Sequence, residues 1–163
     1  MAVIFLLGPG MWGPERTAAD VSPMEVRKKL AARFRTDGHA VILMEDEADR
    51  KGEDMVEKFD RLLRKATAIV MYWPPQAKMQ TTYDELILLR DRKAYLAEAK
   101  TAIWVLHHDS VAEISGDEFN VLEAGNRSRY LTAVAALGVH PIDWSDDEEL
   151  DRKAALLSAE LKD

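Results

Sequence analysis

The run Ala66–Trp73 constrains this chain more than any other stretch. It is continuously apolar, β-branched and aromatic, and Pro74-Pro75 close it. A strand covered on both faces has this pattern. Proline cannot donate to a sheet ladder, so the strand must stop there. The preceding segment, EKFDRLLRK from Glu57, reads as the end of a helix. After the prolines, Thr82-Tyr83-Asp84-Glu85 has capping-box spacing, with Thr82 as N-cap and Glu85 at N3. In an open parallel sheet the turn after a strand lies at the carboxyl edge, where ligands bind. Glu85 is therefore expected to be a cap and also an acid at the rim of a cleft, with Asp60 one helix earlier.

The same alternation runs along the whole chain. Val3 to Leu7 is strand-like. Ser22-Pro23-Met24-Glu25 predicts a helix start, with serine as cap, proline at N1 and glutamate at N3. Val26, Leu30 and Phe34 share a face of that helix, and Gly38 ends it. A second strand is expected over His39–Met44 and a helix over Glu53–Lys65, with Val56, Phe59 and Leu63 inward. A helix from Tyr83 to about Lys100 carries Leu86, Leu89 and Leu96 inward. A fourth strand covers Ala102–His107, a helix falls within Asp117–Leu137, and a short fifth strand spans Val139–Ile142. Ser145-Asp146-Asp147-Glu148 caps a last helix. Strands alternating with helices imply parallel crossovers. The expected fold is an α/β three-layer sandwich with a flavodoxin-like five-stranded parallel sheet of order 2-1-3-4-5. Its cleft would lie at the carboxyl ends of the first and third strands.

Composition narrows the function classes. With 163 residues, 47% of them apolar and 31% charged, the chain has enough material for one globular α/β domain over residues 1–163. No apolar run reaches the length of a membrane span, and MAVIFLLGPG lacks a basic n-region. There is no cysteine, which removes disulfides, thiolate ligands and thiol nucleophiles and is compatible with a cytoplasmic home. A net charge of −7 argues against a surface that coats nucleic acid.

Three loops would line the cleft. Gly8-Pro9-Gly10-Met11-Trp12-Gly13-Pro14-Glu15-Arg16 offers close backbone approach through its glycines and a stacking face through Trp12. It is neither a Walker A nor a GxGxxG motif. Glu45-Asp46-Glu47-Ala48-Asp49-Arg50 has four acids in five residues but no EF-hand spacing, and reads first as a solvated acidic turn. The third loop is Pro74–Thr82. His107 and His108 end the fourth strand beside Asp109-Ser110. With no third ligand at recognisable spacing, they read as structural. No GxSxG elbow is present, and Tyr72-Trp73-Pro74 stands where a receiver domain would carry its phosphoacceptor aspartate.

Ile4-Phe5-Leu6-Leu7-Gly8-Pro9 resembles the first strand and Gly-Pro turn of the nucleoside 2-deoxyribosyltransferases, whose pattern is close to IYLAGP. Asp60-Arg61-Leu62-Leu63 followed by Ala66 resembles that family's DL..I..AD segment, and Thr82-Tyr83-Asp84-Glu85 resembles its DxGTxxExG motif. The departures are Phe5 for the tyrosine, Met79-Gln80-Thr81 for DxG, and Ile87 for the last glycine. The layout is also similar to TIR-type NAD hydrolases and to the PGGxGTxxE nucleotide phosphoribohydrolases. The resemblance implies the flavodoxin-like fold and cleavage or transfer at an N-glycosidic bond of a nucleoside or nucleotide. It makes Glu85 the nucleophile and Asp60 the supporting acid. Gly8, Pro9, Gly10, Trp12, Trp73 and Thr82 would surround the substrate, with no cofactor and no metal.

That chemistry suits the residues. An oxocarbenium-like centre is stabilised by a carboxylate beneath it. The leaving base needs a proton donor and a flat apolar wall, which Trp12 or Trp73 would provide. The expected partner is a small nucleoside or nucleotide, with neither nucleic acid nor membrane, and a homo-oligomer stays open. Two other classes compete: a nucleotide-sensing or partner-binding module on the same fold, and a metal-assisted hydrolase using Glu45, Asp46 and the His pair.

Overall fold

The computed structural model describes residues 1–9, 18–74, 80–109 and 136–162. The strands are β1 (Val3–Leu7), β2 (Ala40–Ile42), β3 (Ala68–Trp73), β4 (Ala102–His108) and β5 (His140–Trp144). The α-helices described are α1 (Ala18–Thr36), α2 (Met55–Leu63), α3 (Gln80–Asp91), α4 (Lys93–Ala99) and α5 (Asp147–Glu160), with a 3₁₀ turn at Met44–Asp46. All strand pairs are parallel, in the order β2-β1-β3-β4-β5. This is the flavodoxin-like layout that the alternation predicts. The expected helix within 117–137 lies almost entirely outside the described residues.

Side-chain alternation divides the core into two layers. Phe5, Leu7, Ile69, Met71, Trp73, Ile103 and Val105 point to one face and pack with Phe59, Leu62, Leu63, Leu86, Leu89 and Leu96 of α2–α4. Ile4, Leu6, Ala68, Val70, Tyr72 and Leu106 point to the other, against Leu30, Ala31 and Phe34 of α1 and Leu150, Ala154 and Leu157 of α5. All six residues of β3 are buried, so the unbroken apolar run is the strand covered on both faces.

Several boundaries differ from expectation for local reasons. α1 begins at Ala18, before Ser22, so Pro23 lies inside the helix rather than at N1. It ends as the sequence suggests. Gly38 takes φ 96°, the His39 amide donates to the Phe34 carbonyl and the Gly38 amide to that of Arg35, which is a Schellman closure. α2 starts at Met55 because Asp54 and Glu57 form a reciprocal capping box. The helix expected over 83–100 breaks at Arg92 into α3 and α4. Arg92 leaves helical geometry there (φ −106°, ψ 19°), and its guanidinium donates back to the Leu88 carbonyl at 3.0 Å.

β1 and β3 are neighbours, while the chain leaves β1 toward β2 on its other side. The carboxyl ends of β1 and β3 therefore form the topological switch point. Gly8 follows β1, Pro74 follows β3, and both lie at this edge.

Candidate active site at the carboxyl edge

Two helices from opposite layers deliver charged side chains to the switch point. Arg27 comes from α1. It belongs to the buried series Met24, Arg27, Leu30, Ala31, Phe34, whose spacing is that of a core-facing stripe, and it is fully buried. Its Nη1 donates to the Leu6 carbonyl at 3.4 Å, and its Nη2 is ion-paired with Glu45 Oε1 in the 3₁₀ turn. The arginine stem lies over the β1 turn. A Cβ at Gly8 would stand 2.8 Å from Arg27 Cδ and 3.3 Å from the Tyr72 carbonyl oxygen, so only glycine fits.

Glu85 arrives from α3 on the other layer and is 0% exposed. Neither of its carboxyl oxygens has a hydrogen-bond partner. The Gly8 amide faces the carboxyl and favours its ionised form without reaching hydrogen-bond geometry. Burial dominates and holds Glu85 well above the ordinary glutamate value. The Arg27 charge opposes that shift, while Glu45 and Asp84 reinforce it. Burial thus disfavours the ionised form of Glu85 more than Arg27 and the Gly8 amide favour it.

The capping role expected for Glu85 does not hold. α3 starts at Gln80, which places Thr82 within the helix. The Thr82 hydroxyl is buried without a partner, and the Glu85 carboxyl closes no reciprocal bond to it. Capping therefore does not explain an acid at position 85. The site holds further unmatched groups, since Arg27 Nε and Glu45 Oε2 are also buried without partners.

The remaining predicted residues are distributed as follows. Gly8 and Pro9 lie at the edge, Pro9 buried, and Gly10 and Trp12 lie outside the described residues. Trp73 is 5% exposed and belongs to the core layer under α2 and α3. Asp60 sits in the second half of α2, and both its oxygens are held by Arg92 at the end of α3, one at 2.8 Å. α2 and α3 both run from the carboxyl edge toward the amino edge, so this pair lies away from the first turns of α3. It borders a groove of about 540 Å³ with Leu63, Arg64, Asp91 and Tyr95, distinct from the Glu85 cluster. The charges bearing most strongly on Glu85 are those of Arg27 and Glu45, not of Asp60.

The acidic loop and the histidines are engaged elsewhere. Glu45 pairs with Arg27, Asp46 with Arg35 at 4.0 Å and Asp49 with Lys58 at 2.7 Å. His107 is paired with Asp143 and His108 Nε2 lies 3.1 Å from the Ser145 carbonyl oxygen. Burial pushes His107 below the ordinary histidine value, and the neighbouring Asp143 opposes that shift. Among the described residues no three His, Asp or Glu side chains gather as a metal site, and no helix is long and apolar enough to cross a membrane.

Sequence reasoning missed Arg27, because a charged residue was not expected within an apolar stripe. The signal was present in its i+3, i+4 and i+7 relation to Leu30, Ala31 and Phe34. Glu45 was noticed only as one acid among several. No protein-family model matches the chain, and a search of curated proteins finds no significant relative. The fold class and the edge cluster therefore carry the functional reading.

Proposed function

We propose that the chain cleaves or transfers an N-glycosidic bond of a nucleoside or nucleotide, with Glu85 as the reacting carboxyl. The observation that carries this reading is a fully buried acid with no hydrogen-bond partner, beside the Gly8 turn at the switch point. A buried polar group left unmatched costs about 1–3 kcal/mol. Functional sites are where such costs are retained. Ionised, Glu85 would face the developing positive charge at an anomeric carbon, as nucleophile or as electrostatic stabiliser. Arg27 and Glu45 take the supporting place that the resemblance gives to Asp60, because Arg92 occupies Asp60. Since Glu85 is sealed from solvent in this state, turnover requires the carboxyl edge to open.

The experiment is a panel of nucleosides, nucleotides and NAD with chromatographic detection of free base. The wild-type chain releases base from at least one of them, and Glu85→Gln loses turnover by about 10³-fold or more, because an amide can neither attack nor balance a cation. The complete burial of Glu85 also supports a second reading, a nucleotide-sensing module on the same fold. Tight binding of one panel member with no base released from any would favour that reading over the enzyme.

A further inference from the structure

Two carboxyls and a single guanidinium meet at Gly8. Arg27 comes from α1, Glu45 from the turn after β2, and Glu85 from α3. Arg27 Nη2 is engaged by Glu45 Oε1, whereas Arg27 Nε has no acceptor, and Nε lies 3.5 Å from the position of a Gly8 Cβ. The Gly8 amide in turn faces the Glu85 carboxyl. An unused donor, an unused Glu45 oxygen and two unused Glu85 oxygens are thus gathered around one glycine, all of them buried. The other charged group bearing on Glu85 is the exposed Asp84 on its own helix.

We propose that Arg27 is a counter-ion shared between Glu45 and Glu85, and that its side chain decides which of the two carboxyls is charged. In the state described, Arg27 neutralises Glu45 and Glu85 keeps its proton. In the alternative state the guanidinium turns its free edge to Glu85, and the proton leaving Glu85 passes to Glu45. One cation, one carboxylate and one carboxylic acid are present before and after, so the cluster's net charge does not change. Glu45 suits the exchange because its side chain is 11% exposed while Glu85 is sealed. A ligand group that engages Glu45 at the rim would then release Arg27 and ionise Glu85 beneath it. Arg27 is a positioning residue in this scheme, acting on the reacting atoms through Glu85.

The inference rests on the geometry of these residues and needs no substrate, so it can fail while glycosidic activity stands, or hold with no such activity. Infrared spectroscopy of the full chain at neutral pH tests it. The wild-type chain shows a protonated-carboxyl band that Glu85→Gln lacks. Glu45→Gln loses the same band, because the freed guanidinium pairs with Glu85. Glu47→Gln, outside the cluster, keeps it. A Glu45→Gln protein that retains the wild-type band, or a wild-type chain without one, overturns the proposal.

Discussion

The chain handles its buried and half-buried charge in two opposite ways. Around α2, acids and bases are matched one to one: Glu53 with Arg61 through two bonds of 2.7 and 2.8 Å, Asp49 with Lys58, and Asp60 with Arg92. The Lys58 ammonium also reaches the Glu47 carbonyl at 2.7 Å, and Arg92 lies 6.0 Å over the Phe59 ring. At the Gly8 turn the same residue types leave Arg27 Nε, Glu45 Oε2, the Thr82 hydroxyl and both Glu85 oxygens without partners. The first region is what a sequence does with charge that only has to hold a loop and a helix in place. The second is unexplained by stability, since fully satisfied or apolar side chains would stabilise the same space. That difference, more than the residue types, is the ground on which the proposed function is placed at the edge cluster.

The comparison breaks most visibly at Arg27. Arg27→Met fills the volume but leaves Glu45 partly buried without its counter-ion, and is expected to cost about 3–5 kcal/mol in urea unfolding. A loss under about 1 kcal/mol, the scale of an exposed pair, would place Arg27 with the surface charges instead. Gly8→Ala comes next. The added methyl collides with the arginine stem, so a loss of about 1–3 kcal/mol is expected. It should be accompanied by a changed chemical shift of the Glu85 carboxyl, because displacing Arg27 alters its field. Within the matched region the effects are smaller and purely structural. Asp54→Ala removes the α2 capping box and is expected to cost about 1 kcal/mol, while leaving the Glu85 carboxyl signal unmoved.

Much of the fold was legible because β3 and the helices around it obey simple periodicities. Ala68–Trp73 was bounded by its prolines, Leu86, Leu89 and Leu96 by their spacing, and Gly38 by the left-handed turn it provides. The start of α1 was not legible, because Ser22-Pro23-Met24-Glu25 is a complete cap signature that the helix nevertheless runs through. The break of the long helix at Arg92 was not legible either, and nor was the pairing of its guanidinium with Asp60 across α2 and α3. In the site, Glu85 was legible from its place after a buried strand. Its meaning changed once α3 was found to begin before Thr82. The pairing of Asp60 with Arg92, and of Glu45 with Arg27, depends on which helices face each other across the sheet. A motif one helix long carries no such information.

The central claim is that burial holds the Glu85 carboxyl well above the ordinary glutamate value, at a cost to stability. The most direct measurement is the unfolding free energy of the wild-type chain and of Glu85→Gln as a function of pH. A carboxyl held above its unfolded value contributes stability that is fully present below the ordinary glutamate value of 4.5 and is lost as pH rises toward the folded value. The account predicts that the wild-type chain is at its best relative to Glu85→Gln in acid. It should then lose ground to the glutamine variant as pH rises above 4.5. A difference between the two that stays flat across this range, or that moves in favour of the wild-type chain as pH rises, would contradict it.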